Sequence, residues 1–142
     1  MIHYKKGWCC YMKLNINNER EKLSTRYKKL WDIEVTILDN VAREQNLSEQ
    51  EREMLLQTQM ATLRIADLKG QNEYNRRSGD AFAKKAIKKN EADISKMERV
   101  YNDNAKIIGQ KKVDEVSNVV NSLAAKEIKK QNDQSKNKGR KQ

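Results

Sequence analysis

The sequence contains no proline, and only five of its 142 residues are glycine. These two residues interrupt helices and strands more often than any others, so a chain poor in both favours long helices with few connections. Aromatic residues make up 6% of the chain and hydrophobic residues 37%, both low shares. We therefore expect an all-α protein without a large globular core.

Histidine and cysteine are nearly absent. His3 is the single histidine, and Cys9 and Cys10 are the two cysteines. One histidine excludes histidine-based triads in the helical part and His₂ or His₃ metal sites, and adjacent cysteines lack the spacing of a zinc knuckle or a Cys-x-x-Cys redox pair. The sequence has neither a glycine-rich phosphate loop nor a Gly-x-Ser-x-Gly elbow. It predicts a non-enzymatic protein without catalytic residues, metal or cofactor.

Long hydrophobic runs are missing too. No segment approaches the roughly 20 apolar residues that span a bilayer, and the first dozen residues lack the apolar stretch of a signal peptide. Two cysteines that cannot comfortably bridge each other are typical of a reducing compartment. We expect no membrane span, and a protein that is cytoplasmic or incorporated into a virion or a secretion assembly.

Apolar periodicity divides the chain into an irregular leader at 1–16, a helical domain at 17–130 and a polar tail at 131–142. The tail contains no apolar residue that could offset the entropy of ordering it, so we expect it to be flexible. The domain is predicted to contain helices at about 18–44, 49–77 and 81–130, the last with a break or kink at Gly109. Ser48 and Glu51 form a capping-box pattern that predicts the start of the second helix.

Amphipathic helices joined by about four residues fold back on each other. The sequence therefore predicts an antiparallel long-helix hairpin, or an elongated three-helix coiled-coil bundle, with a flexible basic C-terminal tail. The residues expected at the helix interfaces are apolar and recur at helical spacing: Trp31, Val35, Leu38, Leu56, Met60, Leu63, Ile94, Met97, Tyr101 and Ile108.

The net charge of +10 is concentrated in a few segments. Residues 76–89 contain six basic residues and one acidic residue, and the tail is also basic. Such clusters bind phosphates or acidic protein surfaces, although lysine-rich helix starts and tails also serve solubility. The candidate anion- or partner-binding residues are Arg76, Arg77, Lys84, Lys85, Lys88, Lys89, Lys136, Lys138, Arg140 and Lys141.

The apolar stripe of the third predicted helix is thin, because Asn90, Asn102 and Asn104 crowd it. This favours a coiled coil completed by another chain, and hence a structural or assembly protein that self-associates or packs into a larger complex. In architecture over residues 17–130 the chain resembles two groups, the coiled-coil stalk proteins of flagellar and type III export ATPases and the internal or ejection proteins of tailed phages. The resemblance carries no site residue over.

The alternative hypothesis is a basic accessory factor that binds nucleic acid nonspecifically through its two basic segments. An inhibitor that docks on a nucleic-acid-binding enzyme has the same sequence features. No aromatic residue lies among the lysines of the tail, which argues against a stacking platform for single strands there.

Overall fold

The computed structural model describes the backbone of residues 13–140 and the side chains of residues 13–135. Within this part the chain is helical, with short connections and no strand, and the helices pack as a bundle, which confirms the all-α prediction. The helices are α1 (Ile16–Lys22), α2 (Thr25–Glu44), α3 (Glu49–Ser78), α4 (Ala81–Ile108) and α5 (Gln110–Arg140).

Helices α3 and α4 begin at caps that the sequence encodes locally. The Ser48 hydroxyl accepts a hydrogen bond from the Glu51 N–H at 3.1 Å, and the Glu51 carboxylate accepts one from the Ser48 N–H at 3.1 Å. Helix α3 ends at Gly79, whose φ of 70° favours glycine. The carboxylate of Asp80 then accepts from the Ala83 N–H at 2.7 Å and starts α4.

The first predicted helix is divided in two. Helix α1 begins at Ile16, and the backbone is extended at Leu23 and Ser24 before α2 starts. Leu23 is buried in the core, and the Ser24 N–H donates to the Asp67 carboxylate of α3 at 2.9 Å. At this break the chain leaves the helical conformation for a few residues, and the Ser24 backbone contacts Asp67, which is distant in the sequence.

The third predicted helix is also two helices, which meet at Gly109 with a φ of 99°. Helix α5 continues to Arg140, whereas the sequence predicted a flexible segment from residue 131. The side chain of Gln131 donates to Glu127 one turn earlier, at 3.2 Å. Since no proline interrupts the segment, backbone hydrogen bonding continues through it even though the side chains at 132–135 are exposed.

The most extensive helix pair is α3 with α4, while α2 packs against α5 and α3, and α1 covers α3. The core lies where these helices meet, and its largest fully buried apolar side chains are Leu38, Leu55, Met60, Met97, Val100, Val113, Val116 and Val120. Burial of apolar area at this junction supplies the main stabilising free energy of the bundle.

Polar side chains inside the bundle also link its helices. Gln59 of α3 donates to Glu34 of α2 and, at 3.1 Å, to Asn121 of α5. Burial raises the pKa of the Glu34 carboxyl, because a carboxylate there has lost its water. Arg64 of α3 forms a buried ion pair with Glu19 of α1 at 3.2 Å. A buried polar group that loses its partner costs free energy, so these contacts favour one arrangement of the helices.

Candidate functional site

The predicted interface residues lie inside this chain. Trp31, Leu38, Leu56, Met60, Leu63, Ile94 and Met97 are buried, and Val35, Tyr101 and Ile108 are half-buried against the core. The stripe of α4 that suggested a second chain is therefore covered by the molecule's own helices. Asn90 and Asn104, which made the stripe look thin, are buried with it.

Beyond the bundle, α3 and α4 continue as a pair that we call the arm, residues 69–93. The buried residues within this range are Asn72, Ala83 and Asn90. The Asn90 side-chain amide donates to the side-chain oxygen Oδ1 of Asn72 across the pair at 3.0 Å. The arm thus holds together through small and polar contacts between its own two helices and leaves most of its surface exposed.

All six predicted basic residues of the arm are exposed. Arg76 forms an ion pair with Glu73 at 3.2 Å, and the other five form no salt bridge with any residue that the structure describes. The one acidic side chain among them, Asp80, is engaged by the Ala83 N–H and the Ser78 hydroxyl, and these hydrogen bonds lower its pKa. The cationic charge at the end of the arm is therefore largely uncompensated.

Two aromatic side chains that the sequence analysis did not single out are exposed on the arm. Phe82 is 88% exposed and Tyr74 is 75% exposed. By helical spacing Tyr74 shares a face of α3 with Arg77, and Phe82 shares a face of α4 with Lys85 and Lys89. The signal in the sequence was a phenylalanine off the inward row of α4, with lysines two and three positions later.

An open groove of about 470 Å³ joins Tyr74 to the start of α2. Its lining includes Tyr27, Arg26 and Gly70, which has open space where a side chain would lie. The Arg26 guanidinium lies 5.7 Å from the centre of the Tyr27 ring. A ligand that reaches Tyr74 therefore has a groove leading on to the Arg26 guanidinium and the Tyr27 ring.

Helix α5 carries the basic segment that follows residue 130 toward the end of the molecule where the arm lies. Near its start Lys112 pairs with Glu51, and further along Asn121 accepts from Gln59, so α5 runs in the direction of α3. Lys126, Lys129 and Lys130 are exposed on it. The side chains of Lys136, Lys138 and Arg140, and the whole of Lys141, lie outside the described residues, as do His3 and the two cysteines.

A second exposed feature lies between α2 and α5. Val119 and Leu123, one turn apart on α5, are 41% and 42% exposed. Leu123 lines an open groove of about 680 Å³ together with Ile33 and Ile37 of α2. Lysines border this groove at 29, 126 and 130.

Residues 13–135 contain no cluster of three or more histidine, cysteine or acidic side chains that could hold a metal ion. No helix within the described range combines the length and apolar character that crossing a membrane requires. No protein family model, curated protein or solved structure matches this chain significantly. The surface chemistry of the arm is therefore the basis for a functional proposal.

Proposed function

We propose that this chain is a non-enzymatic accessory protein that binds nucleic acid through the end of its arm. The observation that supports the proposal is the set of exposed, uncompensated cations beside two exposed aromatic rings. A phosphate backbone releases condensed counterions when lysine and arginine neutralise it, which gives affinity without reading base sequence. We expect binding that is nonspecific and strongly dependent on salt.

The experiment reverses the charge of Lys84, Lys85, Lys88 and Lys89 to glutamate together. Since the slope of log affinity against log salt is about −0.9 per duplex phosphate contact and about −0.7 for single strands, we expect it to become shallower by roughly 3. Fluorescence anisotropy of a labelled oligonucleotide at several salt concentrations measures this slope. Circular dichroism melting checks that the fold is retained.

The matched control reverses four exposed basic residues of the bundle, Lys96, Arg99, Lys106 and Lys111. Both variants have the same net charge, so a difference between them isolates the position of the cations. We expect the control to retain most of the salt slope. Equal weakening in both variants would show that overall charge, not the arm, binds the polyanion.

The second candidate function is that of a structural or assembly protein acting in a larger complex such as a virion or a secretion machine. The exposed pair Val119 and Leu123 beside the α2–α5 groove favours it, since apolar rows of this kind pack against partner helices. In this proposal the α3–α4 pair serves as an antiparallel coiled-coil hairpin. Light scattering of wild type and Leu123→Glu tests self-association, which the glutamate should abolish; a monomeric wild type counts against it.

A further inference from the structure

We propose that the nucleic acid bound by the arm is single-stranded and that its bases stack on Phe82 and Tyr74. This inference rests on the proposed function and names the ligand class. Its basis is the placement of two freely accessible rings beside exposed cations, of which Arg76 alone forms a salt bridge with a residue that the structure describes. A strand with unpaired bases offers flat faces to the rings and phosphates to the lysines, whereas paired bases in a duplex are already stacked on each other.

Phe82 is the most exposed large hydrophobic side chain that the structure describes. A phenylalanine that is 88% exposed contributes almost no burial to the fold, and covering its ring with a ligand would recover that apolar area. The next residue, Ala83, is buried against α3 and fixes the helix face on which Phe82 lies. The backbone of Phe82 therefore has a defined position on one face at the end of the arm.

Both rings lie close to the end of the arm. Tyr74 lies four residues before the end of α3 at Ser78, which is about 6 Å along the helix axis. Phe82 is the second residue of α4, so each ring lies within about two helical turns of the turn at Gly79. Arg77 and Lys85 lie one turn from the two rings, where phosphates of the same strand would pass.

The groove beyond Tyr74 extends the path toward Arg26 and Tyr27. Asp67 also lines this groove, but it is buried and its carboxylate accepts the Ser24 N–H. A strand lying on Tyr74 therefore meets a guanidinium and a third aromatic ring, rather than a free carboxylate, as it leaves the arm.

The experiment compares Phe82→Leu with Phe82→Trp in the full chain. Leucine keeps an apolar side chain and removes the flat π face, whereas tryptophan keeps the π face. The probes are a labelled oligothymidylate of about 15 nucleotides, an abasic strand of the same length and a duplex of the same length, a size within the site range of single-strand binders. Anisotropy gives the three affinities, and melting checks each variant's fold.

We expect Phe82→Leu to weaken binding to oligothymidylate roughly 5- to 150-fold, the range that loss of one stacked base gives. Binding of the leucine variant to the abasic strand and its salt slope should be unchanged, and Phe82→Trp should restore the affinity for oligothymidylate. Tighter binding of wild type to the duplex than to oligothymidylate would overturn the inference.

Equal affinity of wild type and Phe82→Leu for oligothymidylate would also overturn it, because it would show that the Phe82 ring does not stack on a base. This result leaves the proposed function standing, because nonspecific phosphate binding needs only the lysines. The proposed function fails separately, if the fourfold charge reversal on the arm leaves the affinity of every probe unchanged.

Discussion

Helices α3 and α4 run through both the bundle and the arm but bury different residues in each. In the bundle, α3 packs against α1, α2 and α5, α4 also packs against α5, and residues such as Met60 and Val100 are fully buried. In the arm the two helices pack mainly on each other, and the buried side chains are one alanine and two asparagines. Aromatic rings that would stabilise a core are exposed there instead. Stability thus resides in one region and the candidate binding surface in the other.

This difference has a consequence for local stability. An isolated pair of helices with few buried apolar contacts opens more readily than a bundle, because helix propensity alone gives marginal stability. We expect the arm to exchange its amide hydrogens faster than the bundle. Four substitutions, in the bundle and in the arm, test how far the two regions are separable.

Leu38→Ala in the bundle should have the largest effect. The side chain is fully buried, and deleting it leaves a cavity that should lower the free energy of unfolding by about 3–4 kcal/mol. The matched change in the arm is Ile87→Ala, where the side chain is half-buried and about 1 kcal/mol is expected. Urea denaturation followed by circular dichroism measures both. Equal losses would mean that the arm is as well packed as the bundle.

Glu34→Gln should stabilise the bundle at neutral pH, because a neutral amide avoids the cost of keeping a carboxylate buried away from water. Burial raises the pKa of Glu34 above its ordinary 4.5, so the folded protein bears the cost of a buried carboxylate at pH values above the raised pKa. That cost disappears as the pH falls through the raised pKa to below 4.5.

The stabilisation by glutamine should therefore shrink as the pH is lowered, and the Gln59 amide retains an acceptor in the variant. Urea midpoints of wild type and Glu34→Gln between neutral pH and pH 4.5 give the comparison. A difference that stays constant over this interval would rule out titration of Glu34 as its cause.

Asp80→Ala should have the smallest effect, and that effect should be confined to the arm. The change removes the side-chain cap of α4, and loss of such a cap should speed amide exchange in the first turns of α4 by about fivefold. Asp80→Asn keeps a capping oxygen and is the control. Exchange of bundle amides such as that of Val100 should not change, and a change there would show that arm and bundle open together.

The sequence predicted the parts of the fold that depend on neighbouring residues. The capping box at Ser48 and the boundary between the predicted helices at 49–77 and 81–130 both involve residues within a few positions of each other. The break at Ser24 was missed because its partner, Asp67, is 43 positions away. A periodic apolar pattern carries no information about a contact over that distance.

The thin stripe of α4 was misjudged for a related reason. Asn90 and Asn104 counted as polar interruptions, yet Asn90 bonds to Asn72 across the arm and Asn104 donates to the Val100 carbonyl at 2.7 Å. Asn90 thus links α3 to α4, while Asn104 is buried with its amide bonded to a carbonyl of its own helix. In the candidate site the sequence predicted the cations from composition, whereas the exposure of Phe82 depends on which face of α4 meets α3.

Because α3 and α5 run in the same direction, the two ends of the molecule differ in charge. Both basic segments point toward one end, while the α2–α3 turn at Asn46 and the junction at Gly109 lie at the other. A polyanion that binds as proposed would therefore attract the basic end of every molecule. Copies lined up along one strand would show a uniform outer face made of these two turns, so the coated strand would carry a surface chemistry different from that of the strand itself.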